Sequence, residues 1–468
     1  MRRALSLLCL AAVSATGIAV AGPAVAAPAP GSEPAESAAV ADELVVGYVV
    51  GAEPSSQDRA RGRAAAKSAK RVVAARGDRA EVELVQLPRG KDRKQAIADL
   101  ESDPAVAYAE PNWIYTTQGR KVPPAAPTAA PDYYSNGSLW GMYGDRSQPA
   151  NPSGSQAAEA WPTQIGSEAV YVGVIDEGIQ VTHPDLDGNV WTNPRESVNG
   201  RDDDGNGYVD DVHGYDFANN DSTVYDGGSR GSSDDHGTHV AGTIGAENES
   251  TSRVPSQTTP QLGVVGVNQQ VTMISGKFLG AQGGSLADAV RALDYFTDLK
   301  TRHGLNIVAT NNSWGGGAYA VSLLQAIQRS NAAGILFIAA AGNSGTNNDT
   351  TASYPANYDV PNVIAVAAID KTGALATFSQ YGQRTVDLGA PGVGIWSTTA
   401  FNGYSSYSGT SMATPHVTGA AALYASSHPG ATAPQIRNAL LSSVVPTTSL
   451  SGLTVTGGRL DVSTALTK

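Results

Sequence analysis

Three short segments, far apart in the chain, carry side chains that could together cut an acyl bond. Val172-Gly-Val-Ile-Asp176 ends an apolar run on a carboxylate. His236-Gly-Thr-His239-Val-Ala-Gly opens a small-residue stretch with two imidazoles, three positions apart. Gly409-Thr-Ser411-Met-Ala-Thr-Pro-His416 opens another with a hydroxyl. A serine hydroxyl is a poor nucleophile until an imidazole takes its proton. A buried carboxylate then fixes the tautomer of that imidazole and stabilises it once charged. A serine at a helix start also has unpaired N–H groups and the helix dipole beside it, which favour a developing oxyanion. Singly, each segment is ordinary, since most serines at helix starts are N-caps. Spacing does not choose between His236 and His239.

The elements that must position these groups alternate in type. Residues 169–175, 264–267, 271–278, 306–310, 335–341 and 363–368 are short apolar runs bounded by Gly, Asn or Pro and read as strands. Residues 239–246, 285–301, 321–333 and 415–427 read as helices between them. Such α/β alternation implies a mostly parallel sheet covered on both faces. Strand C-termini and helix N-termini then converge on one edge, where the three segments can meet. Upstream, strands at 44–50, 80–87 and 105–109 with helices at 59–76 and 92–101 predict a small α+β domain.

Met1-Arg2-Arg3, an apolar run and Ala24-Val25-Ala26 have the form of a signal peptide, cut after Ala26. Residues 27–42 read as a disordered leader, 43–116 as the small domain, 117–132 as a Pro-rich linker open to cutting, and 133–468 as the large domain. The one cysteine, Cys9, falls in the signal, so the exported chain has no disulfide, thiol nucleophile or thiolate metal site. From residue 122 onward there are 15 Lys+Arg against 29 Asp+Glu. That acidity argues against a nucleic-acid partner and leaves carboxylates for cations.

With these residues in view, the chain resembles the subtilisin-like serine peptidases. Asp176 in VIDEGIQVTHPDL, His236 in HGTHVAGTI and Ser411 in GTSMATPHVTGAAAL are similar to that family's three signatures, in its Asp–His–Ser order. Ala339-Ala-Ala-Gly-Asn343-Ser-Gly is similar to the segment holding its oxyanion asparagine. The resemblance implies a three-layer subtilisin-like fold and a Ser-His-Asp triad of Ser411, His236 and Asp176. It gives the base to His236 and leaves His239 to packing. Asn343 would donate to the oxyanion; losing that donor would cost about 10²–10³ in turnover, the size known for this family's type enzyme.

The resemblance implies, further, that Ser313, Trp314 and Gly315 on one side and Gly283 and Gly284 on the other clamp an extended substrate as an added strand. Ser353 would lie at the floor of the main specificity pocket, with no carboxylate there to select Lys or Arg. The small domain would be a propeptide, acting as folding template and intramolecular inhibitor, released by self-cleavage. The expected protein is a secreted, extracellular, monomeric endopeptidase acting on polypeptides, with no membrane attachment after signal removal. A catalytically silent scaffold of the same fold is the alternative from a different class, but all four positions are filled. A lipase would order its groups Ser…Asp/Glu…His around a G-x-S-x-G turn, whereas here the nucleophile comes last and Ala413 stands where the final Gly of that turn would be.

Asp202-Asp-Asp204-Gly-Asn206-Gly207-Tyr208-Val-Asp210-Asp211 is a separate signal. It starts like an EF-hand loop, yet position twelve is His213 where that loop needs a bidentate Glu. It reads as a different calcium loop, with ligands among Asp202, Asp204, Asn206, Asp210 and Asp211.

Overall fold

The computed structural model of the chain describes residues 37–77, 79–122, 132–247 and 262–468. The expected signal peptide with Cys9, most of the leader and the body of the Pro-rich linker lie outside the described residues.

The first elements are β1 (Ala39–Tyr48), α1 (Pro54–Arg63), β2 (Ser68–Val73), β3 (Val82–Gln86), α2 (Arg93–Glu101) and β4 (Val106–Thr117). The four strands form an antiparallel sheet in the order β4-β1-β3-β2. Three expectations are corrected here. The helix expected over 59–76 is two elements. Pro54 starts α1 in its first turn, the chain reverses at Ala65 with φ +54°, and Ser68–Val73 pairs with β3. Pairing outweighs the helix propensity of its Ala and Lys. The leader ends earlier than residue 42, because Ala39 already pairs with Trp113. The linker also begins later than 117. Strand β4 runs to Thr117, and Arg120–Val122 forms β5.

Short turns follow, Trp140–Met142 and the helix α3 (Ala157–Ala160). The large body then alternates β6 (Gly166–Asp176), β7 (Gly214–Asp216), α4 (Asp235–Gly245), β8 (Gln270–Lys277), β9 (Gly284–Ser285), α5 (Leu286–Thr301), β10 (Ile307–Asn312) and β11 (Trp314–Gly315). Then come α6 (Val321–Ala332), β12 (Leu336–Ala340), β13 (Val363–Ile369), β14 (Leu388–Pro391), β15 (Ile395–Thr399), β16 (Gly403–Ser408), α7 (Thr410–Ser427) and α8 (Ala433–Ser442). The chain closes with β17 (Val445–Pro446), β18 (Gly458–Arg459) and α9 (Val462–Ala465).

The main sheet has the order β17-β18-β14-β13-β12-β10-β6-β8-β7, parallel except for the edge strand β17. Residues alternate between its two faces. Val172 and Val174 of β6 pack with Val240, Ile244 and Val417 from α4 and α7. Ile175 packs with Phe296 and Leu323 from α5 and α6. This is the expected three-layer sandwich. Residues 264–267 are not a strand. Their backbone instead hydrogen-bonds to the end of α4, through Gly266 N to Ala246 O at 3.0 Å and Val267 N to Thr243 O at 3.1 Å. Among the described residues no helix is long and apolar enough to cross a membrane.

Candidate active site

Strand β6 delivers Asp176 at its C-terminal end, fully buried. Helix α4 begins one residue before His236, four residues earlier than the sequence suggested. The ring Nδ1 of His236 lies 2.8 Å from Asp176 Oδ1. A proton shared on that side leaves the lone pair on Nε2, which is buried and has no hydrogen-bond partner. Burial alone would push this imidazole down. The Asp176 charge and hydrogen bond, with Glu177 alongside, outweigh it and hold the ring above its ordinary range.

His239 is a different case. Its ring stacks on Tyr407 at 4.5 Å, Nε2 meets the Ile395 carbonyl at 2.9 Å, and burial drives its pKa to about 3. It is a neutral core histidine. His416 is likewise buried, with Nδ1 on the Met412 carbonyl at 2.8 Å.

Ser411 lies in the first turn of α7, which starts five residues before the expected 415. Pro415 therefore sits inside the helix and cannot donate to the Ser411 carbonyl. The hydroxyl of Ser313 donates to that carbonyl instead, at 2.9 Å. In return Ser411 Oγ donates to the Ser313 carbonyl at 2.9 Å. The hydroxyl is thus turned onto Ser313, and His236 Nε2 is left unpaired.

The chain itself occupies the space between these groups. Gln118 N donates to Ser313 O at 3.1 Å, and Gln118 O accepts from Ser411 N at 3.1 Å. The same oxygen accepts from Asn343 Nδ2 at 2.5 Å. Thr410 sets the orientation of that amide, since its N–H and hydroxyl donate to Asn343 Oδ1 at 3.0 and 3.1 Å. Two donors converging on one carbonyl oxygen are what a developing oxyanion requires.

Upstream, β4 is an added strand between two edges. Thr117 and Thr116 pair with Trp314 and Gly315, while Tyr115 and Ile114 pair with Gly284 and Ser285. Gly283 has φ +86°, and a Cβ there would come within 2.4 Å of the Tyr115 carbonyl, so only glycine admits the strand. The Tyr115 ring is fully buried, edge-on to Trp314 at 5.1 Å. Ser353 lies behind the Asn343 turn, its N–H donating to Asn357 Oδ1 at 2.9 Å.

The small body is anchored at two further points. The Glu110 carboxylate accepts from Val321 N at 2.7 Å and Ser322 N at 3.0 Å, capping the N-terminus of α6. Asn112 Oδ1 does the same for α5 through Ala287 N at 3.1 Å.

Two residues at the site are not singled out by the sequence: Glu177, inside the Asp176 segment, and Lys277. Glu177 Oε1 accepts from His236 N at 2.6 Å, tying the start of α4 to β6. Lys277, fully buried, binds Asp234 at 2.5 Å and Asp226 at 3.1 Å and also donates to the Glu177 carbonyl. Burial would lower its pKa, but the two carboxylates raise it. A lone lysine ending an apolar strand in an acidic half was its only sequence signal.

The acidic loop divides. Carboxylate oxygens of Glu196, Asp202 and Asp204 lie within 4.8 Å of one another. Glu196 Oε1 accepts from Asp203 N and Asp204 N, while its Oε2 is buried and unpartnered. An all-oxygen set with an orphaned buried carboxylate oxygen fits a hard cation such as calcium. Of the five expected ligands, Asp210 and Asp211 fall outside that trio, and Asn206 is hydrogen-bonded within the loop. Asp210 accepts from Asn199 N and Gly200 N, and Asp211 accepts from Tyr295 Oη at 2.6 Å. Asn206 donates to Asp211 at 2.9 Å, and its Oδ1 accepts from Tyr208 N. Glu196, outside the motif, was missed because only folding brings it to the loop.

This sheet, with carboxylate, imidazole and hydroxyl on one rim and a small domain threaded into the cleft, defines a subtilisin-like serine peptidase carrying a prodomain. Residues 167–459 match the subtilase family, and residues 26–112 match the fervidolysin N-terminal prodomain. The chain belongs to the subtilase family. It is 35% identical over 331 residues to the thermophilic serine proteinase of Bacillus sp. (strain AK1), covering 70% of this chain and 66% of that one. It is 38% identical over 275 residues to subtilisin DY of Bacillus licheniformis, covering 58% of this chain and 82% of that one. The crystal structure of fervidolysin from Fervidobacterium pennivorans superposes with a TM-score of 0.67 at 24% identity, over 93% of this chain and 62% of that one, and shows the same fold.

Proposed function

We propose that this protein is a secreted endopeptidase made as a precursor, hydrolysing polypeptides through Ser411, His236 and Asp176. One observation carries the reading: the Gln118 carbonyl oxygen is held by both Ser411 N and Asn343 Nδ2 while its strand is clamped on two sides. In the reaction Ser411 Oγ leaves the Ser313 carbonyl and gives its proton to His236 Nε2 as it attacks the substrate carbonyl. Asp176 steadies the charged ring, and the two N–H donors take the negative charge on oxygen. His236 then protonates the leaving amine, and water resolves the acyl-enzyme by the same steps in reverse.

The small domain, residues 39–117 by its strands, serves as the propeptide. It blocks the cleft by filling it as a substrate would and by capping α5 and α6. We assign a structural calcium to Glu196, Asp202 and Asp204; bound there it would neutralise carboxylates whose mutual repulsion otherwise loosens the loop. The amino-terminal basic head, apolar run and Ala-Val-Ala support export.

The test is hydrolysis of casein by the purified protein, its block by a phosphonyl fluoride, and the location of the label. Label on Ser411 with loss of turnover is expected. An active protein that Ser411→Ala leaves active would overturn the reading.

A further inference from the structure

The clamp on the chain is not confined to the residues before Gln118. Downstream, Arg120, Lys121 and Val122 pair antiparallel with Ser408, Tyr407 and Ser406 of β16. The Gln118–Gly119 peptide is therefore held from both sides, with its carbonyl oxygen between the two donors described above. The clearance on its amine side is tight. A Cβ on Gly119 would lie 2.9 Å from both His236 Cδ2 and Nε2 and 3.4 Å from Met412 Sδ. The His236 ring cannot swing aside, because Asp176 fixes its Nδ1 and Glu177 fixes its backbone. Met412 is fully buried. Any residue larger than glycine must push the imidazole off its carboxylate or lift the peptide off its two donors.

We propose that Gln118–Gly119 is the bond the precursor cuts in itself, and that Gly119 selects it. This rests on the peptidase reading above and goes past it in naming the bond and the residue that specifies it. The Ser411 oxygen forms an ester with the Gln118 carbonyl carbon as the bond to the Gly119 nitrogen breaks. The hydroxyl proton passes through His236 to that nitrogen, which leaves as the new terminal amine. Water then releases Gln118 as a carboxylate and restores the Ser411 hydroxyl. No oxidant, reductant or co-substrate is needed. The steric limit that favours glycine here applies equally to other polypeptides, so small residues are favoured just after the cut bond.

The experiment is a quenched time course of full-length precursor maturation, read by intact mass and N-terminal sequencing, with Gly119→Ala and Gly119→Val beside the wild type. The first products should be a chain beginning Gly119-Arg120-Lys121 and a fragment ending at Gln118. Gly119→Ala should slow the first cut roughly tenfold and Gly119→Val roughly a hundredfold, the range expected of overpacking a rigid site. A first cut at any other bond in the wild type overturns the assignment. So does a Gly119→Val precursor that matures at the same bond and rate. Failure of the peptidase reading looks different: the wild type then hydrolyses no casein, and the Ser411→Ala precursor matures normally.

Discussion

The two bodies of this molecule solve the same packing problem differently. The large sheet is covered on both faces by its own helices, α4 and α7 on one side and α5 and α6 on the other. The small sheet covers only one face for itself. Leu44 and Val46 of β1 pack under α1 and α2 with Val85, Leu100 and Val106. Val45, Val73 and Val82 point the other way and join the apolar cluster of α5 and α6. Burying each such side chain contributes about 1.5–3 kcal/mol, and for these three the cover is borrowed. The large body buries both faces of its sheet against its own helices, whereas the small body buries its second face only against the large one. A propeptide needs that arrangement, because cutting the connection leaves only a reversible contact.

The largest effect should separate site chemistry from cover. Asp176→Asn should cost about 10⁴ in turnover while leaving the melting temperature nearly unchanged. The residual activity also tests the sign of the pKa argument. In the wild type the raised His236 pKa means base activity is lost as pH falls through a value above the ordinary imidazole range. Removing the carboxylate lets burial prevail, so the acid limb of kcat/KM should move to lower pH. An unmoved limb would show that another group sets it.

Next in size, Asn343→Ala removes one of the two donors on the Gln118 oxygen. Turnover of peptides should fall about 10²–10³-fold with KM little changed, the size already known for this family's type enzyme. A loss confined to KM would assign the amide to substrate binding alone.

A smaller effect tests whether the large body is as self-sufficient as its two covered faces suggest. Chelator should lower the melting temperature of the mature enzyme. The loss would be about 2.7 kcal/mol if free calcium stood near a hundred times its dissociation constant. Glu196→Gln should remove most of that response. A chelator-insensitive melt would leave the loop as a hydrogen-bonded acidic turn.

The smallest effect bears on the borrowed cover. Glu110→Ala strips two N–H acceptors from the start of α6 and should weaken propeptide binding in trans by about 1–2 kcal/mol. Inhibition constants against the mature enzyme would read this directly. Equal inhibition by the variant would place the hold entirely in the apolar contact and the added strand.

Much of this was legible in the sequence. Short apolar runs bounded by Gly, Asn or Pro marked the buried strands, and the residue types at 176, 236 and 411 pointed to acyl chemistry, with Asn343 and the preference for His236 supplied by the family resemblance. Boundaries were less legible where pairing or capping decided them. Ser68–Val73 has helix-forming residues and is a strand because β3 lies beside it. Helix α7 runs through Pro415 because the Ser313 hydroxyl takes the carbonyl that proline leaves unpaired.

The sequence by itself determined the layer architecture and the kinds of group available for catalysis, since periodicity and side-chain chemistry are local properties. Only tertiary structure chose His236 over His239 on geometric grounds, brought Glu196 to the acidic loop and placed Lys277 beneath Glu177. It alone laid Gln118 between its two donors. Apart from Glu196, only six residues from Asp202, those decisions depend on distances between residues far apart in the chain, and on which polar groups burial leaves without water to satisfy them.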